Sequence, residues 1–152
     1  MPVVFDLMPF AKQLEVKYVQ GKPHFFDKTR RVHLKVTPEE IVRQSLIIKL
    51  HADFGIPWVR MRTEYGIKHN SLQKRIDLLI YDKKGKPWMI IETKAPTVPL
   101  SQLVIDQVAF YNNVIFAPWL MVANGNEAMF ASVDFQSKAT AEVFEFPLNQ
   151  WL

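Results

Sequence analysis

The chain contains no cysteine among its 152 residues. Disulfide bonds, a thiolate nucleophile and a cysteine-ligated zinc site are therefore excluded. Long apolar runs are missing as well, since no stretch approaches the roughly 20 residues that a membrane-spanning helix needs. The N-terminus also lacks a basic segment followed by an apolar one, so no signal peptide is visible. These absences predict a cytoplasmic protein that does not contact membranes.

A strong charge of either sign is also missing. The chain carries 19 Lys and Arg against 15 Asp and Glu, which gives a net charge of +4. An excess of this size permits a polyanionic partner without requiring one. Because 49% of the residues are hydrophobic and 12% are aromatic, the composition predicts a packed core rather than disorder.

Capping signals mark two helices. Thr37 can cap the first helix, Pro38 suits its first turn, Glu40 completes a capping box and Gly55 ends it. Ser101 can cap a second helix, predicted over roughly 102–116, and Pro118 ends it.

Strand-like runs occupy most of the remaining sequence. Three lie between the helices and one follows the second helix, at 58–69, 74–82, 87–95 and 119–125. A tight turn makes the second and third strands an antiparallel hairpin. The order helix, three strands, helix, strand predicts an α/β (α+β mixed) fold with a mixed sheet flanked by helices. We expect one domain over 1–152, with an N-terminal β extension (1–36), a core (37–128) and C-terminal strands (129–152).

The strand at 87–95 is apolar but ends in charged residues. Side chains alternate between the faces of a strand, so Trp88, Ile90, Glu92 and Lys94 are expected on one face. Glu92 and Lys94 then point the same way, about 6–7 Å apart by strand rise. They either form an ordinary solvated end of the sheet or belong to a site.

Asp77 interrupts the apolar partner strand in the same way. If the hairpin loop has an even length centred on Lys84 and Gly85, Asp77 lies opposite Glu92, with Cβ atoms about 4.5–5.5 Å apart. A three-residue loop with a glycine bulge would instead shift the register. Two opposed carboxylates repel each other, and a cation such as Mg²⁺ would compensate. Lys94 would then supply a positive charge or a proton-transfer group beside the metal.

The second helix carries a polar residue within its predicted apolar arc. Gln107 falls near the middle of that arc, which comprises Leu103, Val104, Val108, Phe110, Tyr111, Val114 and Ile115. A glutamine on a buried face needs hydrogen-bond partners. It either bonds to nearby backbone or turns toward the carboxylates or a substrate phosphate.

Together these residues resemble a known signature. Asp77, then Glu92-Thr93-Lys94, then Gln107-x-x-x-Tyr111 is similar to the PD-(D/E)xK nuclease motif with its QxxxY helix motif. The segments "FFDKTRRVHLKVTPEEIVRQ", "RIDLLIYDKKGKPWMIIETKAP" and "DQVAFYNN" resemble the N-terminal nuclease domain of type I restriction enzyme R subunits. The resemblance covers roughly 22–135 and implies a restriction-endonuclease-like core. The proline of the motif is replaced by Ile76. The helicase-like motor of R subunits is not in this chain, so we expect no ATP-driven translocation by it.

The resemblance implies a catalytic role for Asp77, Glu92 and Lys94 and a metal contact for Thr93. Asp77 and Glu92 would bind one or two Mg²⁺ ions, with Mn²⁺ as an alternative, together with the Thr93 backbone carbonyl. Lys94 would orient a water molecule or stabilise the transition state. Bound metal would activate that water for attack on phosphorus.

Further residues are auxiliary candidates. Gln107 and Tyr111 would position the site or the DNA backbone. Many members of the superfamily add a glutamate from the first helix, for which Glu40 ranks first and Glu39 second, although the capping box already explains Glu40. Glu64, on the first strand of the core, is a further candidate.

Basic residues near the expected site are candidates for DNA contact. We predict phosphate contacts, which give affinity without sequence reading, from Arg30, Arg31, Lys68, His69, Lys74 and Arg75. The lysines at the tip of the predicted hairpin are read as a solvated turn.

The function predicted by this resemblance is a metal-dependent DNA endonuclease. Its expected partners are DNA and either restriction-modification subunits or a second copy of the chain. One alternative is a non-catalytic DNA-binding or accessory protein that keeps the fold. Another is a structural salt-bridge network, which would predict no effect of metal.

Overall fold

A computed structural model describes residues 1–151, apart from the side chain of His69. The strands are β1 (Val3–Val4), β2 (Val16–Val19), β3 (Lys22–Asp27), β4 (Val32–Lys35), β5 (Met61–His69), β6 (Leu72–Tyr81), β7 (Pro87–Thr93), β8 (Trp119–Ala123), β9 (Glu127–Val133) and β10 (Thr140–Val143). The helices are α1 (Met8–Ala11), α2 (Pro38–Phe54) and α3 (Gln102–Ile115), with 3-10 turns at Trp58–Arg60 and Leu148–Gln150.

The main sheet is mixed, as the order of elements predicted. Its strands run in the order β1-β9-β8-β7-β6-β5, with β10 also paired to β9. β7 and β8 are parallel neighbours joined through α3, and the other pairs are antiparallel. A parallel pair needs a crossover connection, so α3 must lie against the sheet beside the end of β7.

Helices cover both faces of this sheet and create two apolar cores. On one face, α2 residues such as Leu46 and Leu50 pack with Leu78, Met89 and Ile91. On the other face, α3 packs its own apolar side chains against the sheet, namely Ile105 and Val108 against Leu79, Ile90 and Leu120. The alternation along β6 and β7 therefore divides their side chains between the cores, which fixes the register.

The register of the β6–β7 hairpin agrees with the prediction, but the loop does not. Leu78 pairs with Ile91 and Ile80 with Met89, so Asp77 and Glu92 occupy the next position of the same register. At the tip the register is shifted by one residue, which makes the loop odd rather than even. A bulge at Trp88 restores the register. It also places Trp88 in the core beneath α2 instead of on the face of Ile90.

A small separate sheet precedes the core. Strands β2, β3 and β4 form it in that order. Asp27, fully buried, joins it to the core by accepting hydrogen bonds from Thr29, from Gln44 on α2 and from Thr63 on β5. Burial raises the pKa of Asp27, but these bonds outweigh burial and lower it.

The α3 helix is rotated relative to its predicted apolar arc. Its buried residues are Ile105, Val108 and Asn112, whereas Leu103 is 65% exposed and Phe110 44%. Asn112 turns this face inward because its side-chain amide both accepts from and donates to the backbone of Ala117. Gln107 is therefore exposed rather than at the centre of a buried face. Within residues 1–151, no helix is long and apolar enough to cross a membrane.

Candidate active site at the end of the central hairpin

Glu92 lies in a nearly closed environment with two ammonium groups. Its side chain is 10% exposed. The Nζ of Lys74 lies 3.4 Å from Glu92 Oε1, and the Nζ of Lys94 lies 3.7 Å from the same oxygen. Lys94 therefore occupies the face that strand alternation predicts for it. Lys74, which is predicted to contact DNA, lies next to the predicted metal ligand.

The pKa of Glu92 is raised to about 7. Burial is the main cause, and the negative charge of Asp77 raises it further, while Lys74 and Lys94 lower it. Burial and the neighbouring carboxylate thus both disfavour the charged form of Glu92.

A Glu92→Gln variant is expected to unfold with a different pH dependence from the wild type. Because the pKa of Glu92 in the fold lies above its ordinary value of 4.5, its contribution to stability is complete below about pH 4.5 and disappears as the pH rises through about 7. The loss is about 3 kcal/mol at most. Urea unfolding in EDTA should show the variant gaining on the wild type between pH 5 and pH 8, and stability curves that stay parallel would contradict the assignment.

Asp77 fixes the end of β7 and faces α2. Its Oδ2 accepts hydrogen bonds from the Thr93 backbone N–H (2.9 Å) and from Thr93 Oγ1 (3.2 Å). Its Oδ1 lies 3.9 Å from Arg43 Nη1. The Asp77 carboxylate thus holds the first residue after Glu92, which orients the chain that leads to Lys94.

The backbone opposite Asp77 is strained. Thr63 pairs with Leu78 and Tyr65 with Ile76, and Glu64 between them has a left-handed φ of 55°. Left-handed backbone at a non-glycine residue has an energetic cost and is concentrated at functional sites. Here it breaks the alternation of β6, since Ile76 packs beneath α3 and Leu78 beneath α2.

Arg43 forms ion pairs with Glu40 and Glu64, two of the auxiliary candidates from the sequence. Its guanidinium donates to both oxygens of Glu40, with Nε 2.8 Å from Oε2, and Nη1 also donates to Glu64. Burial lowers the pKa of Arg43, but Glu40 and Glu64 outweigh it and raise the pKa above its ordinary value. Burial also raises the pKa of Glu64, whereas Arg43, Arg30 and Arg75 lower it overall. The carboxylates of Glu40 and Glu64 are thus both ion-paired with Arg43.

Glu39 is the acidic residue of α2 that faces the site. Its side chain is exposed, and its pKa is raised by partial burial and by the charge of Asp77, against the effects of Lys94, Arg43 and Lys74. Glu40, by contrast, donates its backbone N–H to the Thr37 hydroxyl and turns its carboxylate inward to Arg43. Glu40 is therefore bonded to Arg43, Glu39 is not held in this way among the described contacts, and the role of either glutamate at the site stays a prediction.

The α3 helix closes one side of a cavity of about 190 Å³ above Glu92. The cavity is lined by Lys74, Glu92, Lys94, Val104, Gln107, Val108 and Tyr111. Lys74 Nζ lies 5.5 Å from the centre of the Tyr111 ring, a cation–π distance. The structure thus brings Gln107 and Tyr111 together with Glu92 and Lys94.

The residues predicted to contact DNA fall into two groups. Arg30 and Arg75 flank Glu64, with Arg75 Nη1 3.7 Å from its carboxylate, and Arg30 also bonds to Asp27. Lys68 and Arg31 are exposed away from the carboxylates. The side chain of His69 lies outside the described part of the structure.

The donor set suits a hard cation that retains water. Among the described residues, no group of three or more His, Asp or Glu side chains is arranged to hold a metal. Asp77 and Glu92 with the Thr93 carbonyl leave the remaining positions to water and phosphate oxygens. Mg²⁺ binds in this way, through one or two carboxylates together with substrate phosphates, so the residues present fit it.

The chain was compared with models of known protein families. The family model for the type I restriction enzyme R protein N terminus matches residues 38–147, a range that includes α2, the β6–β7 hairpin, α3 and the residues from Asp77 to Lys94. The chain belongs to this family. No curated protein matches the chain. The small β2–β4 sheet lies outside the residues that match the R-protein family.

Arg43 was not singled out from the sequence, and its role becomes visible only through its contacts with Glu40 and Glu64. The position of Lys74 beside Glu92 was also not expected. Because Lys74 is three residues before Asp77, which interrupts β6, the local break in alternation is what turns it toward Glu92.

Proposed function

We propose that this chain is a metal-dependent DNA endonuclease that hydrolyses phosphodiester bonds with Mg²⁺, which Mn²⁺ could replace. The observation that carries the proposal is the position of Glu92. It is a buried carboxylate with a raised pKa, next to Asp77, at the floor of an open cavity with two lysines. A purely structural carboxylate would gain nothing from this arrangement, because its charge is costly there.

The chain's own residues supply the positioning and the positive charge. Asp77, Glu92 and the Thr93 carbonyl would hold the metal. When bound, Mg²⁺ lowers the pKa of a water ligand and neutralises phosphate charge. The ammonium of Lys94 is placed to donate a hydrogen bond to the attacking water or to a phosphate oxygen as negative charge develops.

Lys74 would serve on the other side of the cavity. Its ammonium lies 3.4 Å from Glu92 Oε1 and 5.5 Å from the centre of the Tyr111 ring. Once a cation takes over the charge of Glu92, Lys74 is free to bind a substrate phosphate. Gln107 offers an amide to the same space. DNA is the proposed substrate, with restriction-modification subunits or a second copy of the chain as partners.

Incubation with supercoiled plasmid tests the proposal. The wild type should nick or linearise the plasmid with Mg²⁺ or Mn²⁺ and stop in EDTA. Asp77→Asn should be inactive, because it loses the negative charge needed for the metal, although its amide keeps the shape. The melting temperature of the wild type, but less so that of Asp77→Asn, should rise with millimolar Mn²⁺ by mass action.

Other outcomes distinguish the alternatives. DNA binding without cleavage under any metal would support the accessory protein. A melting temperature that no metal changes, together with no cleavage, would leave the salt-bridge network as the role of these residues.

A further inference from the structure

The positive charge of the chain is concentrated in the small sheet that lies outside the family match. Residues 16–36 contain six of the 19 Lys and Arg and one of the 15 Asp and Glu. Since the whole chain carries +4, the remainder is slightly acidic. The single acid, Asp27, is buried and hydrogen-bonded inward. The solvent side of this sheet is therefore not neutralised by any acid of its own strands.

The register brings these cations together on one face. Lys17 pairs with His24, and His24 pairs with Lys35, so the three form a row across the sheet. Lys22 shares this face because it lies two residues before His24. Lys22 lies diagonally across the sheet from both Lys17 and Lys35, where like charges repel, and an anionic backbone lying along this face would relieve that repulsion.

An aromatic pair lies on the same face. Phe26 pairs with His33, their ring centroids are 5.3 Å apart, and Phe26 is 44% exposed. The inward positions of β3 are instead taken by Phe25 and Asp27. An exposed ring beside cations on an antiparallel sheet is the arrangement that binds single-stranded nucleic acids, with bases stacked on rings and phosphates on lysines. Glu15, just before β2, is the nearest acid along the strands.

The face also leads toward the proposed catalytic cavity. Phe26 and His33 are the second pair from the β3–β4 turn, after Asp27 and Val32, and that turn carries Arg30. Arg30 acts on the charge of Glu64, whose other neighbours include Arg43 and Arg75. Arg30, in the turn of the small sheet, therefore links this sheet to Glu64 at the edge of the carboxylate cluster.

We propose that the outer face of β2–β4 binds single-stranded DNA and delivers it to the cavity above Glu92. Lys17, Lys22 and Lys35 bind phosphates, and Phe26 stacks with a base. This inference rests on the proposed function for its choice of DNA, but the binding itself needs neither metal nor cleavage. The proposed substrate of the nuclease is then DNA with a single-stranded segment, such as an unpaired end or flap.

Fluorescence anisotropy with a labelled oligo(dT) in EDTA tests the binding. The triple variant Lys17→Gln, Lys22→Gln, Lys35→Gln should bind at least tenfold more weakly at low salt. The slope of log affinity against log salt concentration should also be shallower by about 2 in this variant, since each of three single-strand phosphate contacts contributes about 0.7 to it. Phe26→Ala should lose at least about fivefold. The triple variant should melt like the wild type, because its lysines are exposed. Phe26 is partly buried, so its variant is compared at a temperature at which circular dichroism shows both proteins to be folded.

A matched variant controls for net charge. Lys84→Gln, Lys86→Gln, Lys138→Gln removes the same charge from exposed positions elsewhere and should bind like the wild type. Equal losses in the two triple variants, or no loss in either, would overturn the proposal. So would blunt duplex DNA that binds as tightly as oligo(dT) and is indifferent to Phe26→Ala. Asp77→Asn should bind oligo(dT) normally, so failure of catalysis and failure of this surface are separable.

Discussion

Lys94→Ala is expected to lower the rate of Mg²⁺-dependent DNA cleavage by about 10²–10³-fold, the usual effect of removing one preorganised donor from a transition state. The loss should appear in kcat. DNA affinity should change little, because Lys94 contributes a single charge within a cavity that also contains Lys74. Cleavage at the wild-type rate would remove Lys94 from the mechanism.

The pH dependence of the same variant separates chemistry from structure. Lys94 is one of the groups that lower the pKa of Glu92, so its removal should raise that pKa above about 7. Any residual cleavage should then require a higher pH than the wild type, because Glu92 must lose its proton to hold a cation. Lys94→Arg keeps the charge and should restore the pH dependence even if its bulk slows the reaction. Lys84→Ala, at the far tip of the same hairpin, should change neither rate nor pH profile.

Much of the site could be predicted because its spacing is local. Asp77 and Glu92 are on adjacent strands of one hairpin, so their meeting depends only on a register that the apolar pattern fixes. The structure reached that register through an odd loop and a bulge at Trp88, not through the even loop that was expected. Only one register buries the apolar side chains of both strands, and the loop takes the length that this register requires.

Other features of the site could not be predicted because they depend on contacts between residues that are far apart in the chain. Apolar periodicity predicts that Gln107 lies on a buried face. Because α3 is apolar on several sides, periodicity alone does not determine which side packs against the sheet. The contact of Asn112 with Ala117 decides the rotation. Glu40 and Glu39 differ by one position on α2, and only the placement of Arg43 beside Glu64 shows which carboxylate turns inward. No local pattern carries such information.

Arg43→Met is expected to be among the most destabilising substitutions in the chain, with a cost of about 3–5 kcal/mol. Arg43 and Glu40 are each 8% exposed, and Glu64 and Asp77 also lie at the guanidinium. Methionine keeps an unbranched apolar stem but leaves the buried charge of Glu40 without a cationic partner, with only the Gln44 amide still donating to it. The melting temperature should fall by on the order of 10 °C, measured at pH 7 with urea unfolding as a second readout.

A second substitution tests whether the uncompensated charge is the cause. Glu40→Gln added to Arg43→Met removes the stranded carboxylate and should recover part of the loss, since replacing both members of a buried pair is often close to neutral. Arg43 also lowers the pKa of Glu64, and stabilisation by a group with a lowered pKa is lost as the pH falls. The penalty of Arg43→Met should therefore shrink below about pH 4.5. A loss of under 1 kcal/mol at pH 7, or a double variant less stable than the single one, would mean that the arginine serves the site rather than the fold. Its hold on Glu64 would then be the contact that keeps that carboxylate from competing with Asp77 and Glu92 for a cation.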